Sequence, residues 1–99
     1  AITKARCGSA CVVDVKGKLI GIFTDGDLRR HLEVGLEVLQ KTVKTVMTKN
    51  PTMILQNKLA AEAFSLLKER KIDELPVVDE KGRAVGLLDI QDLLKAGLI

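Results

Sequence analysis

The apolar positions of the 99-residue chain switch between alternating and helical spacing, and the switches mark its elements. Ala10 to Val15 form a nearly continuous apolar run rich in β-branched residues, which predicts a short strand. Lys16-Gly17 signals a turn and Lys18 to Thr24 a returning strand, so the two read as a hairpin. Gly21, inside the second strand, marks a bulge or a close approach of another backbone. From Asp27, Leu28 and Leu32 fall at helical spacing with Arg29, Arg30 and Glu33 between them, and the helix they predict stops near Gly35. Leu36 to Lys41 form a connector. Val43, Val46 and Met47 fit one helical turn, ended by Asn50-Pro51 because a residue before proline avoids the α region.

Thr52 to Leu55 predict a brief strand. Asn57 is placed to cap a helix starting near Lys58, with Leu59, Ala63, Leu66 and Leu67 on one face and Glu62, Lys68, Glu69 and Lys71 on the other. Leu75 to Asp79 follow as a strand, in which Pro76 is confined to the start or an edge. Lys81-Gly82 is its turn, Arg83 to Leu88 the returning strand, and Ile90 to Lys95 a last helix that stops at Gly97.

This pattern occurs twice. A shift of 65 positions lays Val12 to Leu28 over Val77 to Leu93, aligning both strands, both turns and both Asp-Leu pairs. At the same offset Ala1 to Arg6 match the end of the long helix at Leu66 to Lys71. The chain is therefore expected to begin inside a helix, the first copy lacking the part equivalent to residues 43 to 65. The second copy reads β-α-β-β-α, and neither copy buries its own sheet, so the two are expected to pack face to face.

Composition narrows the chemistry. A 46% hydrophobic and 29% charged chain is that of an ordinary globular domain, without the roughly 20-residue apolar run of a membrane span. No signal-peptide pattern opens it, and a cytoplasmic location is the simple reading. The formal net charge of +3 is interspersed rather than blocked, and two Phe with no Tyr or Trp give bases nothing to stack on, so nucleic acid is not expected as a partner. Cys7, Cys11 and the lone His31 do not make a zinc site; the cysteines read as small buried or half-buried thiols and His31 as a solvated helix residue. Asp25-Gly26-Asp27 has its glycine misplaced for a calcium loop and no Glu at the twelfth position. No metal site is expected, nor any catalytic residue, since no acid and base pair emerges.

Val46-Met47-Thr48 followed by Pro51, then the long helix, Leu75-Pro76-Val77-Val78-Asp79, and Gly86-Leu87-Leu88 with Asp92-Leu93, come in the order of a tandem pair of CBS domains, named for cystathionine β-synthase, and the resemblance covers the chain. It implies an α/β (α+β) fold of two pseudo-symmetric β-α-β-β-α repeats packed sheet to sheet, residues 1–41 forming a truncated first repeat and 42–99 the second. Gly21 to Arg30, with Asp92-Leu93-Leu94-Lys95-Ala96-Gly97, resembles more narrowly the C-terminal part of bacterial arabinose 5-phosphate isomerases, which feed Kdo synthesis for lipopolysaccharide or capsule. In that family an upstream sugar-isomerase domain carries the chemistry.

CBS pairs commonly bind nucleotides in clefts between the repeats, through a glycine, a hydrophobic pair, Thr or Ser, two variable residues and Asp. Thr24 and Asp27 match. A strand ending at Thr24 and a helix opening near Asp27 aim N–H groups and a hydroxyl at a phosphate, while the carboxylate accepts from a ribose diol. Arg29 and Arg30 add charge suited to phosphate. The bland role of such an Asp, capping its own helix, is expected alongside. In the second copy Asp89 replaces the Thr or Ser and Asp92 keeps the acid; a carboxylate repels phosphate, so the two clefts are expected to be unequal. No cofactor is required on this reading. An adenine nucleotide or a CMP-sugar is the expected effector, and a homodimer of CBS pairs the expected assembly. The competing expectation is a ligand-free assembly module that dimerises and organises the catalytic domains.

Overall fold

The computed structural model describes residues 2–6 and 9–95. Its elements run β1 (Ile2–Arg6), β2 (Ser9–Val13), β3 (Leu19–Thr24), α1 (Asp25–Val34), a 3-10 turn (Leu36–Gln40), α2 (Val43–Val46), β4 (Thr48–Lys49), β5 (Ile54–Leu55), α3 (Ala60–Arg70), β6 (Glu74–Val78), β7 (Ala84–Asp89) and α4 (Ile90–Lys95). They build a four-stranded sheet ordered β1-β2-β3-β4 and a three-stranded sheet ordered β5-β6-β7. Every pair is antiparallel except β5 with β6, where Ile54 and Leu55 lie opposite Val77 and Val78.

The hairpins β2-β3 and β6-β7 are the repeat, and their turns carry out the same chemistry. Asp14 Oδ1 accepts from the Lys16 and Lys18 N–H groups at 2.9 and 3.0 Å, and Asp79 Oδ1 from Lys81 and Arg83, both at 2.9 Å. Gly17 and Gly82 follow at φ +84° and +80°, a region a Cβ disfavours. The turns then join each other. Leu19 N–H donates to Gly82 O at 2.9 Å, and Ala84 N–H donates to Gly17 O at 3.0 Å. These bonds are related by the same 65-residue shift as the sequence, so a pseudo-twofold axis passes between the turns. Around it Cys11, Leu19 and Ile22 of one sheet pack with Val78 and Leu87 of the other in a single buried cluster, as the face-to-face expectation requires.

A second core belongs to the later half alone: Ile54, Ala63, Leu67, Leu75 and Leu93, with Phe64, Leu66 and Ile72 against it. It holds α3 on β6. Lys71, at φ 55°, reverses the chain at the end of α3, where Ile72 N–H reaches back to Leu67 O at 3.0 Å.

Several local expectations need correction. Residues 2–6 are a strand rather than the end of a helix: Ala5 and Arg6 pair with Ala10 and Ser9. The open edge of β2 offers these residues a ladder. Asn57 does not cap α3, whose N-cap is Leu59 with no side-chain bond. Leu59, expected on the buried face, is 69% exposed; its carbonyl instead accepts from Glu62 and Ala63. Nor does Asn50-Pro51 end α2. That helix stops at Val46 because the next residues extend into β4 along β3, Gly21 opposite Lys49 and Ile22 opposite Thr48. Val15 lies in the exposed turn rather than the strand. Gly97 lies outside the described residues.

Candidate functional site

The first repeat's Thr24 ends β3 and caps α1, and the cap fixes the site. Thr24 Oγ1 accepts from Asp27 N–H at 3.0 Å while Asp27 Oδ2 accepts from Thr24 N–H at 2.9 Å, a reciprocal capping box. Capping is therefore a real role of both residues. It does not exhaust them, because the Thr24 hydroxyl, acting there as acceptor, still has a proton to donate. Asp27, 4% exposed, also pairs through Oδ1 with the Arg30 guanidinium and lies 3.3 Å from the Thr48 hydroxyl. One buried carboxylate thus ties together α1, the end of β3 and β4.

These groups form one side of a cleft of about 310 Å³. Ile22, Thr24, Asp27 and Arg30 come from the first repeat, and Thr48, Asn50, Pro51 and Thr52 from the segment that carries β4. Ile72, Glu74 and Pro76 close it from the second repeat. Alternation explains the pairing of walls: Ile22 and Thr24 share one face of β3, and Glu74 and Pro76 share one face of β6. Where these faces converge beyond the cleft, Ile22 meets Val78 in the inter-sheet core, so the floor is rigid and apolar. Gly21 admits the connecting segment: a Cβ there would lie 2.9 Å from Thr48 O and also strike the Met47 side chain. The close backbone approach expected at Gly21 is what brings β4 over β3.

Glu74 is a wall residue that motif reasoning missed. Burial raises its carboxyl above the ordinary glutamate range; the nearby Ser9 hydroxyl draws it down, and the charges of Asp89, Asp73 and Asp25 push it further up. Ser9 Oγ is itself buried without a hydrogen bond of normal geometry. The signal available in the sequence was positional, since the 65-residue shift lays Ser9 on Glu74, two equivalent seats beside the pseudo-axis.

The remaining expected site residues divide. Arg30 lines the cleft; Arg29 does not, lying instead 3.9 Å from Asp25 with both side chains largely exposed. Asp89, which ends β7 opposite Glu74, and Asp92, in the first turn of α4, do not line the Thr24 cleft. Asp89 N–H donates to Asp92 Oδ2 at 3.0 Å, as Thr24 does to Asp27, but Asp89 Oδ1 accepts from Gln91 N–H at 2.7 Å. The Asp at the Thr position therefore caps through a carboxyl oxygen and lacks the hydroxyl that Thr24 presents. Asp89 is 4% exposed. Cys11 is buried, Cys7 falls outside the described residues, and His31 lies in the last turn of α1. Among the described residues no cluster of His, Cys, Asp and Glu has the makings of a metal site, and no helix is long and apolar enough to cross a membrane.

Two sheets related by a pseudo-twofold axis, with a cleft between β3 of one repeat and β6 of the other, define a tandem-repeat module. Residues 1–34 and 43–99 match the CBS domain family, and the chain belongs to it as a CBS pair. Over 98 residues it is 46% identical to the arabinose 5-phosphate isomerase KdsD of Pseudomonas aeruginosa; the match takes in 99% of this chain and 30% of that protein. Among solved structures, CBSX2 in complex with AMP matches at 29% identity and a TM-score of 0.78, over 92% of this chain and 71% of that one. The CBS pair of protein MJ0100, in complex with 5′-methylthioadenosine and S-adenosylmethionine, matches at 26% identity and a TM-score of 0.77, over 91% of this chain and 72% of that one.

Proposed function

We propose that this CBS pair senses a nucleotide and regulates an arabinose 5-phosphate isomerase of Kdo, lipopolysaccharide or capsule synthesis in the cytoplasm, the catalytic work lying in a sugar-isomerase domain upstream. The observation that carries the proposal is the Thr24–Asp27 cleft, built from both repeats, with a hydroxyl, a guanidinium and a capped helix end gathered at its α1 side. A phosphate takes the α1 N-terminus, held by the Thr24 hydroxyl and Arg30. The ribose diol goes to Asp27. AMP in CBSX2 and adenosyl ligands in protein MJ0100 support a nucleotide of this kind, and a CMP-sugar fits the same division of polar and apolar walls. We set the boundary between the repeats at residues 41 and 42, so the Thr48 to Thr52 segment opens the second repeat.

Regulation follows from the third partner of Asp27. A diol donating to that carboxylate replaces the long contact with Thr48, and so changes what holds β4 and the connecting segment against α1. The ligand shifts the relative arrangement of the repeats only by its difference in affinity for the two arrangements. A thermal-shift panel of AMP, ATP, S-adenosylmethionine, CMP and a CMP-sugar tests the reading. A ligand at 100 times its Kd stabilises by about 2.7 kcal/mol; a flat response at millimolar concentrations rules these compounds out.

One observation favours a second reading, an assembly module. Val34, Leu36 and Leu39 lie close in sequence on α1 and the 3-10 turn, and each is well exposed, which suits a homodimer contact. Sedimentation that stays monomeric at high protein concentration counts against it.

A further inference from the structure

We propose that Glu74 selects the base of the bound nucleotide, accepting a hydrogen bond from an exocyclic amine, so that the cleft takes adenine or cytosine in preference to their oxo counterparts hypoxanthine and uracil. This rests on the nucleotide reading above and adds the part of the ligand that the phosphate and ribose contacts leave open.

The cleft has an orientation. Thr24, Asp27, Arg30 and Thr48 gather a hydroxyl pair, a guanidinium and the capped helix end on α1, β3 and β4, and Asn50, Pro51 and Thr52 continue the wall from β4. Of the three residues that the β6 side contributes, Ile72, Glu74 and Pro76, only Glu74 has a polar side chain, and it stands between two apolar ones. A flat base laid against Ile72, Pro76 and Ile22 meets one hydrogen-bonding group from that side. The group is an acceptor: among the described residues no cation is paired with Glu74, and the charges around it belong to Asp89, Asp73 and Asp25.

Such a carboxylate repels phosphate, which confines the phosphate to the α1 end, and it equally repels a carbonyl oxygen. An amine N–H meets it with a charge-assisted bond. Adenine and cytosine both present an amine where hypoxanthine and uracil present oxygen, so the two candidate ligand families share the feature that Glu74 reads. The second cleft does not reproduce this, since Ser9 stands at the equivalent position.

The test is calorimetric titration of the wild-type chain and Glu74→Gln with two matched pairs, AMP against IMP and CMP against UMP. The wild type prefers the amine-bearing member of whichever pair binds by about 10-fold or more, the scale of a hydrogen bond to a charged group. Glu74→Gln, whose amide both donates and accepts, narrows that ratio to within about 3-fold while still binding nucleotide. Equal wild-type affinities within a pair, or an unchanged ratio in Glu74→Gln, overturn the assignment of Glu74 and leave the nucleotide reading standing. Failure of all four to bind the wild type at millimolar concentration overturns both. The tighter of AMP and CMP identifies the base.

Discussion

At Gly17 and Gly82 the two halves of the molecule perform the same exchange of hydrogen bonds; at Thr24 and Asp89 they part. The first half ends β3 in a hydroxyl with a proton to spare, overlooks Glu74 and is rimmed by Thr48 to Thr52. The second ends β7 in a carboxylate that accepts from Gln91, and the position equivalent to Glu74 is the buried Ser9. β7 is an edge strand with nothing beyond it among the described residues, where β3 has β4. The repeats match where they join each other and differ where they line the cleft. The turn-to-turn contact is reciprocal, so a change in one turn damages the other's partner; the cleft walls are independent and free to specialise.

Damage to the parts that the halves do not share sharpens this contrast most. Leu67, 1% exposed in the core beneath α3, has no helix to match it in the described part of the first half. Leu67→Ala is expected to lower unfolding free energy by about 2–5 kcal/mol in urea titration. Next comes the pair of equivalent glycines. Gly21→Ala drives a methyl into Thr48 O and costs about 1–3 kcal/mol, whereas Gly86→Ala meets only Val77 Cβ at 3.8 Å and stays within about 0.5 kcal/mol by thermal melting. Equal costs would mean that β4 is not held against β3 as described.

Thr24→Ala removes a cap worth about 1 kcal/mol and also weakens nucleotide binding. Thr24→Asp, which gives the first half the second half's residue, keeps a cap but loses the phosphate; titration of the two variants separates stability from binding.

The smallest effects lie in pH. Backbone N–H groups, that of Lys18 for Asp14 and that of Arg83 for Asp79, hold these half-buried carboxyls below the ordinary value of 3.8. Folded pKa values below the unfolded ones mean stability present above that value and lost as pH falls through it, so Asp14→Asn and Asp79→Asn each flatten the acid limb of a melting curve. Glu74 has the opposite sign. Its raised pKa makes stability fall as pH climbs past the ordinary 4.5, and Glu74→Gln raises Tm at pH 7 relative to pH 4.

Much of this was legible in the chain because the hairpins are local: β-branched runs broken by Lys-Gly turns specify β2-β3 and β6-β7 within a residue or two, and the Thr24–Asp27 spacing specifies a cap. What escaped depends on partners distant in sequence. β4 is two residues long and exists because Gly21 makes room for it. β1 is a strand because β2 has an open edge, although its residues align with a helix. Leu59 carries the right period but falls at the N-cap, outside the packed turns. Glu74 is 50 residues from Thr24 and enters the site only through the packing of the two sheets, so no local motif could have shown it.

On the proposed nucleotide reading, the unequal halves leave one site, at Thr24 and Asp27. Amide NMR spectra of the chain titrated with AMP and with CMP test it most directly. Saturable shifts at Thr24, Asp27, Thr48 and Glu74, with Gln91 and Asp92 at the start of α4 far less affected, are the predicted result. Shifts centred on Gln91 and Asp92 with the Thr24 cleft silent would contradict it.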